Sequence, residues 1–294
     1  MRKLAEEILK VKELAGAPSL AKLYAKALQP RGEGEILPDT EYVRPEIRID
    51  PAHLAAYNRI CGFRLGDELP PTYPHMSAFP LQMALMTEPE FPFPLLGMVH
   101  VANRITQHRP IGLGETCALR VRAENLRPHE KGTQFDMLSE LSTKDGPVWT
   151  EVSTYLRRGE GAGPAARGGQ PTAPAPTAIW RLPADIGRRY AEVSGDRNPI
   201  HLHPLTARLF GFSSAIAHGM WTKARALAAF EGRLGDSFTV DVRFKRPVPL
   251  PSTVAFTSWR TGDGWAFELW RARKPVPHLE GVIAAAKPPL RPGR

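Results

Sequence analysis

The chain has 294 residues, 42% of them hydrophobic, a net charge of +9 and two cysteines. That length suits two domains of ordinary size or one duplicated unit, and no apolar run reaches the roughly 18 residues of a membrane-spanning helix. Cys61 and Cys117 lack metal-ligand spacing and read as small buried thiols in a reducing cytoplasm. The positive charge favours an anionic partner, yet the basic residues are spread out and form no nucleic-acid motif. Nucleic acid is therefore a weaker reading than a nucleotide-bearing substrate or an acidic carrier protein.

The N-terminus mixes charges into its apolar pattern and lacks the continuous apolar stretch of a secretory signal. Leu4, Ile8 and Val11 mark one face of a short amphipathic helix, which opens a helical extension over residues 1–40. A first half over 41–158 holds an apolar helical segment, then strands around 98–106, 116–124, 132–142 and 148–156. Residues 159–177 are rich in Gly, Ala, Pro and Thr, cannot form a core, and read as a partly extended linker. The second half, 178–294, has an Ala/Leu-rich helix over 215–230. Phe238, Val240, Val242 and Phe244 then alternate with polar residues, the period of a strand with one buried face. Further strands are expected around 253–260, 265–273 and 278–286. One long helix and an antiparallel run of strands per half is an α+β arrangement, with the helix covering a sheet face.

The halves resemble each other. Arg109-Pro110-Ile111-Gly112-Leu113-Gly114-Glu115-Thr116 shares Arg, Pro, Leu and Thr in register with Arg246-Pro247-Val248-Pro249-Leu250-Pro251-Ser252-Thr253. Tyr57 and Gly62 have the spacing of Tyr190 and Gly195. Two matches in the same order on either side of a linker point to one supersecondary unit used twice.

The sharpest local signal is Ser194-Gly195-Asp196-Arg197-Asn198-Pro199-Ile200-His201-Leu202-His203-Pro204, followed by Ile216-Ala217-His218-Gly219-Met220. Gly195 and Pro199 place its polar groups on irregular backbone. A carboxylate beside an imidazole can hold one water and move its protons. Free N–H groups at a helix start stabilise charge developing on a carbonyl oxygen, and Gly219 lets a ligand approach that backbone. Together these suit adding or removing water next to a carbonyl carbon.

The stretch from Tyr190 to Met220 resembles the signature of MaoC-like, R-specific enoyl-CoA hydratases. With Leu69-Pro70-Pro71-Thr72-Tyr73-Pro74, Ala78-Phe79-Pro80 and Val99-His100 through Arg109-Pro110-Ile111, the chain from about residue 44 onward resembles the mycobacterial-type double-hotdog 3-hydroxyacyl-thioester dehydratases. The resemblance implies a tandem hotdog, each half a long helix wrapped by an antiparallel sheet. It implies that Asp196 and His201 are the catalytic pair, that Asn198 supports their loop and that the Gly219 N–H is the oxyanion donor. The expected substrate is an acyl-CoA or acyl-carrier-protein thioester, handled without metal, flavin or nicotinamide, by a cytoplasmic monomer or homodimer that neither binds nucleic acid nor inserts into a membrane. A hotdog thioesterase and a non-catalytic acyl-binding subunit are the alternatives.

The first half departs from the pattern. Counted from the shared Tyr and Gly, Phe63 stands at the position of Asp196, Leu65 at that of Asn198 and Glu68 at that of His201. One active site per chain is expected, with an enlarged apolar acyl pocket lined by Phe63, Leu65, Phe79, Leu81 and Met83. Arg109, Arg246 and Lys245 are candidates for CoA phosphates or an acidic carrier, and equally for structural ion pairs. His201 and His203 alternate as metal ligands can, but convincing third and fourth ligands are lacking, although Asp196 and His218 could be put forward. His218 is expected to pack or cap the helix start, and His75 and His100 to be satisfied structural histidines.

Overall fold

The computed structural model describes residues 9–27, 34–95, 97–159 and 172–286. Strand β1 (Lys10–Glu13) and helix α1 (Leu20–Ala27) precede the repeated units. Val11, expected on a helix, lies on β1 and is 58% exposed, while Leu4 and Ile8 fall outside the described residues. The four residues of β1 gain hydrogen bonds by adding to the edge of a sheet, pairing parallel with β2, which a lone helical turn could not do. The linker expected over 159–177 lies largely outside the described residues, but its end is extended and docked, with Thr177 N donating to Phe256 O at 2.8 Å.

The first unit comprises β2 (Thr40–Ile47), α2 (Pro51–Cys61), α3 (His75–Met86), β3 (Met98–Gln107), β4 (Cys117–His129), β5 (Gly132–Thr143) and β6 (Gly146–Arg158). The second comprises β7 (Ala178–Leu182), α4 (Ile186–Ser194), α5 (Pro199–Leu202), α6 (Pro204–Leu209), α7 (Gly219–Ala228), β8 (Phe238–Phe244), β9 (Ser252–Thr261), β10 (Gly264–Arg271) and β11 (Pro277–Ala285). The strands form one sheet in the order β1-β2-β4-β5-β6-β3-β8-β11-β10-β9-β7. Beyond β1, the order reads the same from either edge inward. The units meet where β3 pairs antiparallel with β8, from Ala102↔Arg243 to Gln107↔Phe238. This is the double hotdog, with α3 and α7 as the wrapped helices.

The repeat signals have physical counterparts. Asp50 caps α2 by accepting from Ala52 N at 2.9 Å, and Gly62 ends it at φ 82°. Gly195 ends α4 at φ 70°. Both glycines adopt a left-handed turn that a side chain would strain. Tyr57 and Tyr190, one per repeat, face each other with ring centroids 6.4 Å apart. The Arg-Pro segments follow β3 and β8 and carry matched contacts: Leu69 N donates to Ile111 O, as Ala217 N does to Val248 O.

That matching corrects one count. Glu68 bridges Gly112 as Ile216 bridges Pro249. Glu68 therefore corresponds to Ile216, not His201. The second unit carries extra chain here, the segment bearing α5 and α6, which the first unit lacks. An ungapped count from the shared glycine cannot register such an insertion.

Candidate active site

The loop that carries Asp196, Asn198 and His201 is built by short-range hydrogen bonds. After Gly195 turns the chain, Asp196 Oδ1 accepts from Asn198 N at 3.1 Å. Asn198 then caps α5, its side chain accepting from Ile200 N. His201 lies in that single turn and is 8% exposed. His203 caps α6, Nδ1 accepting from Leu205 N at 3.2 Å, which is a structural task. From the other side α4 presses on the loop through Gly187. A Cβ there would stand 2.2 Å from the His201 carbonyl oxygen, so only glycine lets the helix come this close.

His201 Nδ1 lies 2.8 Å from Ile216 O. A carbonyl only accepts, so Nδ1 carries the proton and Nε2 presents a lone pair. Burial lowers the His201 pKa against the pull of Asp196, keeping the ring neutral at pH 7. The ring stacks on His218 with centroids 3.7 Å apart. His218 makes no side-chain cap on α7. Its Nε2–H instead donates to the Asp196 carbonyl at 3.0 Å, tying the Asp196 loop to the helix start, and burial pushes its pKa down to about 3. Burial would raise the Asp196 pKa, but His218, His201, the Tyr24 hydroxyl and the Asn198 N–H outweigh it and hold it below the usual carboxylate range. A neutral imidazole with an open nitrogen beside an ionised carboxylate gives two proton acceptors in one place.

Ligand atoms of Asp196, His201 and His218 all lie within 4.8 Å of one another, a donor set a cation could in principle use. His218 Nε2, the nitrogen 3.7 Å from the carboxylate, is engaged as a donor and cannot ligate as placed. The other ring nitrogen, His218 Nδ1, is buried without a hydrogen-bond partner.

Gly219 opens α7. A Cβ there would sit 3.1–3.2 Å from three atoms of the Phe244 ring. The glycine therefore admits the ring against the helix start, beside His100, whose ring lies 5.1 Å from that of Phe244. Gly219→Ala should push Phe244 aside and displace the first N–H groups of α7. A displacement of a few tenths of an ångström at a charge-stabilising donor is expected to cost about tenfold or more in kcat. Shrinking the ring in Gly219→Ala/Phe244→Leu should restore part of it. Steady-state kinetics on both variants check this, and equal defects would rule out the steric origin.

The expected binding residues are scattered. Arg109 is held by Glu115 through two bonds of 2.9 and 2.6 Å, and Lys245 by Glu280 at 2.5 Å. Both are ion pairs of the fold. Arg246 is exposed and has no ion-pair partner among the described residues. Leu65 is 64% exposed and does not line an interior pocket, because the turn after α2 points it outward. Phe63, Phe79, Leu81 and Met83 are packed in the continuous core. The first unit's interior also holds a polar cluster. Glu151, fully buried, accepts from His75 Nδ1, Gln82 Nε2 and Asn103 Nδ2 at 2.8–3.0 Å. Asn103 in turn receives Lys223 Nζ from α7. His75 is satisfied as expected, whereas His100 Nε2 is buried without a hydrogen-bond partner.

Two residues at the site, Tyr24 and Gly187, were not singled out in the sequence, and His218, expected to pack or cap the helix start, ties the loop to it instead. Tyr24 Oη donates to Asp196 Oδ1 at 2.5 Å. It carries no local motif, and a separation of 172 positions hides the contact.

Comparison with known proteins agrees with this geometry. Residues 164–280 match the MaoC-like domain family. The 3-hydroxyacyl-thioester dehydratase X of Mycobacterium tuberculosis is 40% identical over 276 residues, 92% of this chain and 98% of the relative. A crystal structure of HtdX from the same organism superposes with a TM-score of 0.76 at 39% identity, covering 84% of this chain and all of that one. An acyl-ACP thioesterase from Bacteroides thetaiotaomicron matches at 10% identity with a TM-score of 0.55, over 84% of this chain and 98% of that one, a likeness of fold alone. Identity of 40% over 92% of the chain, and not the fold by itself, is what decides: the chain belongs to the MaoC-like 3-hydroxyacyl-thioester dehydratases.

Proposed function

We propose that the chain is a hydro-lyase that removes water from (3R)-hydroxyacyl thioesters to give trans-2-enoyl thioesters, and adds it in reverse, in fatty-acid or related lipid metabolism. The observation that carries this reading is the Asp196 carboxylate beside the open Nε2 of His201 at the start of α7. The thioester carbonyl accepts from Gly219 N–H, which acidifies the C2 proton. Asp196 and His201 transfer that proton and protonate the departing C3 hydroxyl. In hydration, the same two acceptors orient a water by its two protons towards C3. Every step is served by this chain's own side chains and backbone. Arg246 is the exposed cation available to a CoA phosphate or an acidic carrier. Two hotdogs in one chain allow a monomer to hold a complete site. No helix among the described residues is long and apolar enough to cross a membrane. Cytoplasmic residence fits the two buried free thiols.

Crotonyl-CoA distinguishes this reading from its rivals. Loss of the enoyl-thioester absorbance with the thioester intact is the expected result. Release of free thiol instead would identify a thioesterase, and an unchanged spectrum with bound ligand a non-catalytic acyl-binding subunit.

A further inference from the structure

We propose that Tyr24 is a positioning residue of this site: its hydroxyl, delivered by the N-terminal helix α1 from outside both repeats, fixes the Asp196 carboxylate. The proposal rests on the dehydratase reading and adds a residue from a segment that the matched family region, 164–280, does not contain.

The contact is built from both sides. Leu14 N donates to Val43 O at 2.8 Å, continuing the pairing of β1 with β2. Leu14, Leu20, Leu23 and Tyr24 pack on the core, and Ala27 at the end of α1 is buried. On the loop side, a Cβ at Gly195 would lie 2.3 Å from Leu20 Cδ1. Gly195 is thus needed twice, for its φ of 70° and for the room it gives α1.

The geometry also assigns different tasks to the two carboxylate oxygens. Oδ1 accepts both Tyr24 Oη at 2.5 Å and Asn198 N at 3.1 Å. Oδ2 is the oxygen 3.7 Å from His218 Nε2, on the imidazole side. Tyr24 therefore anchors one oxygen and leaves the other to the reaction, which is positioning and not obstruction.

The surroundings explain why a phenol is useful. The titratable groups facing Asp196 are Tyr24 from α1, His201 from α5, His218 before α7, Tyr190 from α4 and Tyr155 from β6. No lysine or arginine forms an ion pair with Asp196 among the described residues. Both imidazoles are neutral near pH 7 because burial lowers them. Burial itself favours the protonated carboxyl. Of the groups that hold the carboxylate below its ordinary range, His218 and His201 act across space, and the Tyr24 hydroxyl and the Asn198 amide are the two that hydrogen-bond it directly. The phenol stays protonated, since burial and the adjacent anion both push its pKa up.

The test is Tyr24→Phe in the full-length enzyme, read in two ways. The first is titration of the Asp196 carboxyl by carbon NMR, with Asp196→Asn used to assign the signal. A carboxylate held below its ordinary pKa is ionised above that value and is lost as pH falls through it. Removing a donor moves the loss to higher pH. A hydrogen bond to a charged group is strong enough that the shift should be at least about one pH unit upward. The second readout is the pH profile of crotonyl-CoA hydration. Its acid limb should move up in the same direction, with kcat falling and KM little changed. Superimposable titrations in the two proteins overturn the proposal. So does a kcat that falls equally at every pH without a titration shift, which marks a merely structural role, or a kcat that rises, which marks a gate. A wild-type enzyme inactive on crotonyl-CoA would sink the dehydratase reading alone, since the NMR shift still tests the Tyr24–Asp196 contact. Should Tyr24→Phe fail to fold, 3,5-difluorotyrosine placed at residue 24 keeps the shape and donates more strongly. The titration and the acid limb should then move down, and no movement overturns the proposal.

Discussion

Asp196→Asn is expected to fold like the wild type and to turn over at least about a hundredfold more slowly, the usual scale for an acid–base group. The fold should survive because asparagine keeps the one atom the architecture uses. Its Oδ1 can still accept from Tyr24 and from Asn198 N, and the backbone carbonyl that receives His218 is untouched. What disappears is the ionised oxygen facing the imidazoles. A hundredfold corresponds to about 2.7 kcal/mol of barrier. Because Asp196 and His201 hold the same proton-transfer site, their losses should not add: Asp196→Asn/His201→Asn should be little slower than the worse single variant. Crotonyl-CoA hydration rates beside thermal melts check this. Near-normal turnover by a well-folded Asp196→Asn protein excludes the assignment, and fully additive losses exclude a shared site.

Legibility in the sequence followed the range of the interaction. The strands of both repeats were readable because alternation along a strand is local: Phe238, Val240 and Val242 are buried and lie on β8. The loop of the proposed active site was readable because its contacts span few positions and leave a dense pattern of Gly, Asp, Asn, Pro and His. The duplication was readable at its fixed points, the cap glycines and the Arg-Pro segments. It failed between them, where the inserted α5 and α6 misaligned Glu68 with His201. Contacts between distant elements left no trace. Tyr24 looks like any tyrosine on an amphipathic helix, and the reason for a glycine at position 187 lies in the His201 carbonyl. Charge gave a mixed result: Arg109 and Lys245 are absorbed by Glu115 and Glu280, pairings that composition cannot foresee.

The deepest feature hidden from the sequence is the buried polar cluster, and it carries the second large effect. Glu151→Ala is expected to lower unfolding stability by about 3–5 kcal/mol, the usual cost of removing one partner from a buried charged set. That is a large share of the roughly 5–15 kcal/mol that holds a domain folded. Glu151 has no exposed surface, and three donors converge on it: His75 and Gln82 from α3 and Asn103 from β3. Burial alone would raise its pKa, but His75, Asn103 and Lys223 hold it down, so it is a carboxylate in the folded protein. Lys223 reaches the cluster from α7 through Asn103, across the β3–β8 seam that joins the repeats, and burial lowers its pKa to about 7. Alanine would take one acceptor from each of three buried donors, leaving Gln82 only Ser139, Asn103 only Ser153 and His75 Nδ1 none, and Lys223 without its counter-charge. Urea unfolding should show a lower midpoint with an unchanged slope. Glu151→Leu/Lys223→Met should recover part of the loss by removing the buried amine left without its partner, as a coupled pair requires. A Glu151→Ala protein that unfolds within a few tenths of a kcal/mol of wild type would mean that the cluster does not hold the repeats together. A double variant no better than Glu151→Leu alone would place the energy in the hydrogen bonds of α3 instead of the charge that spans the seam.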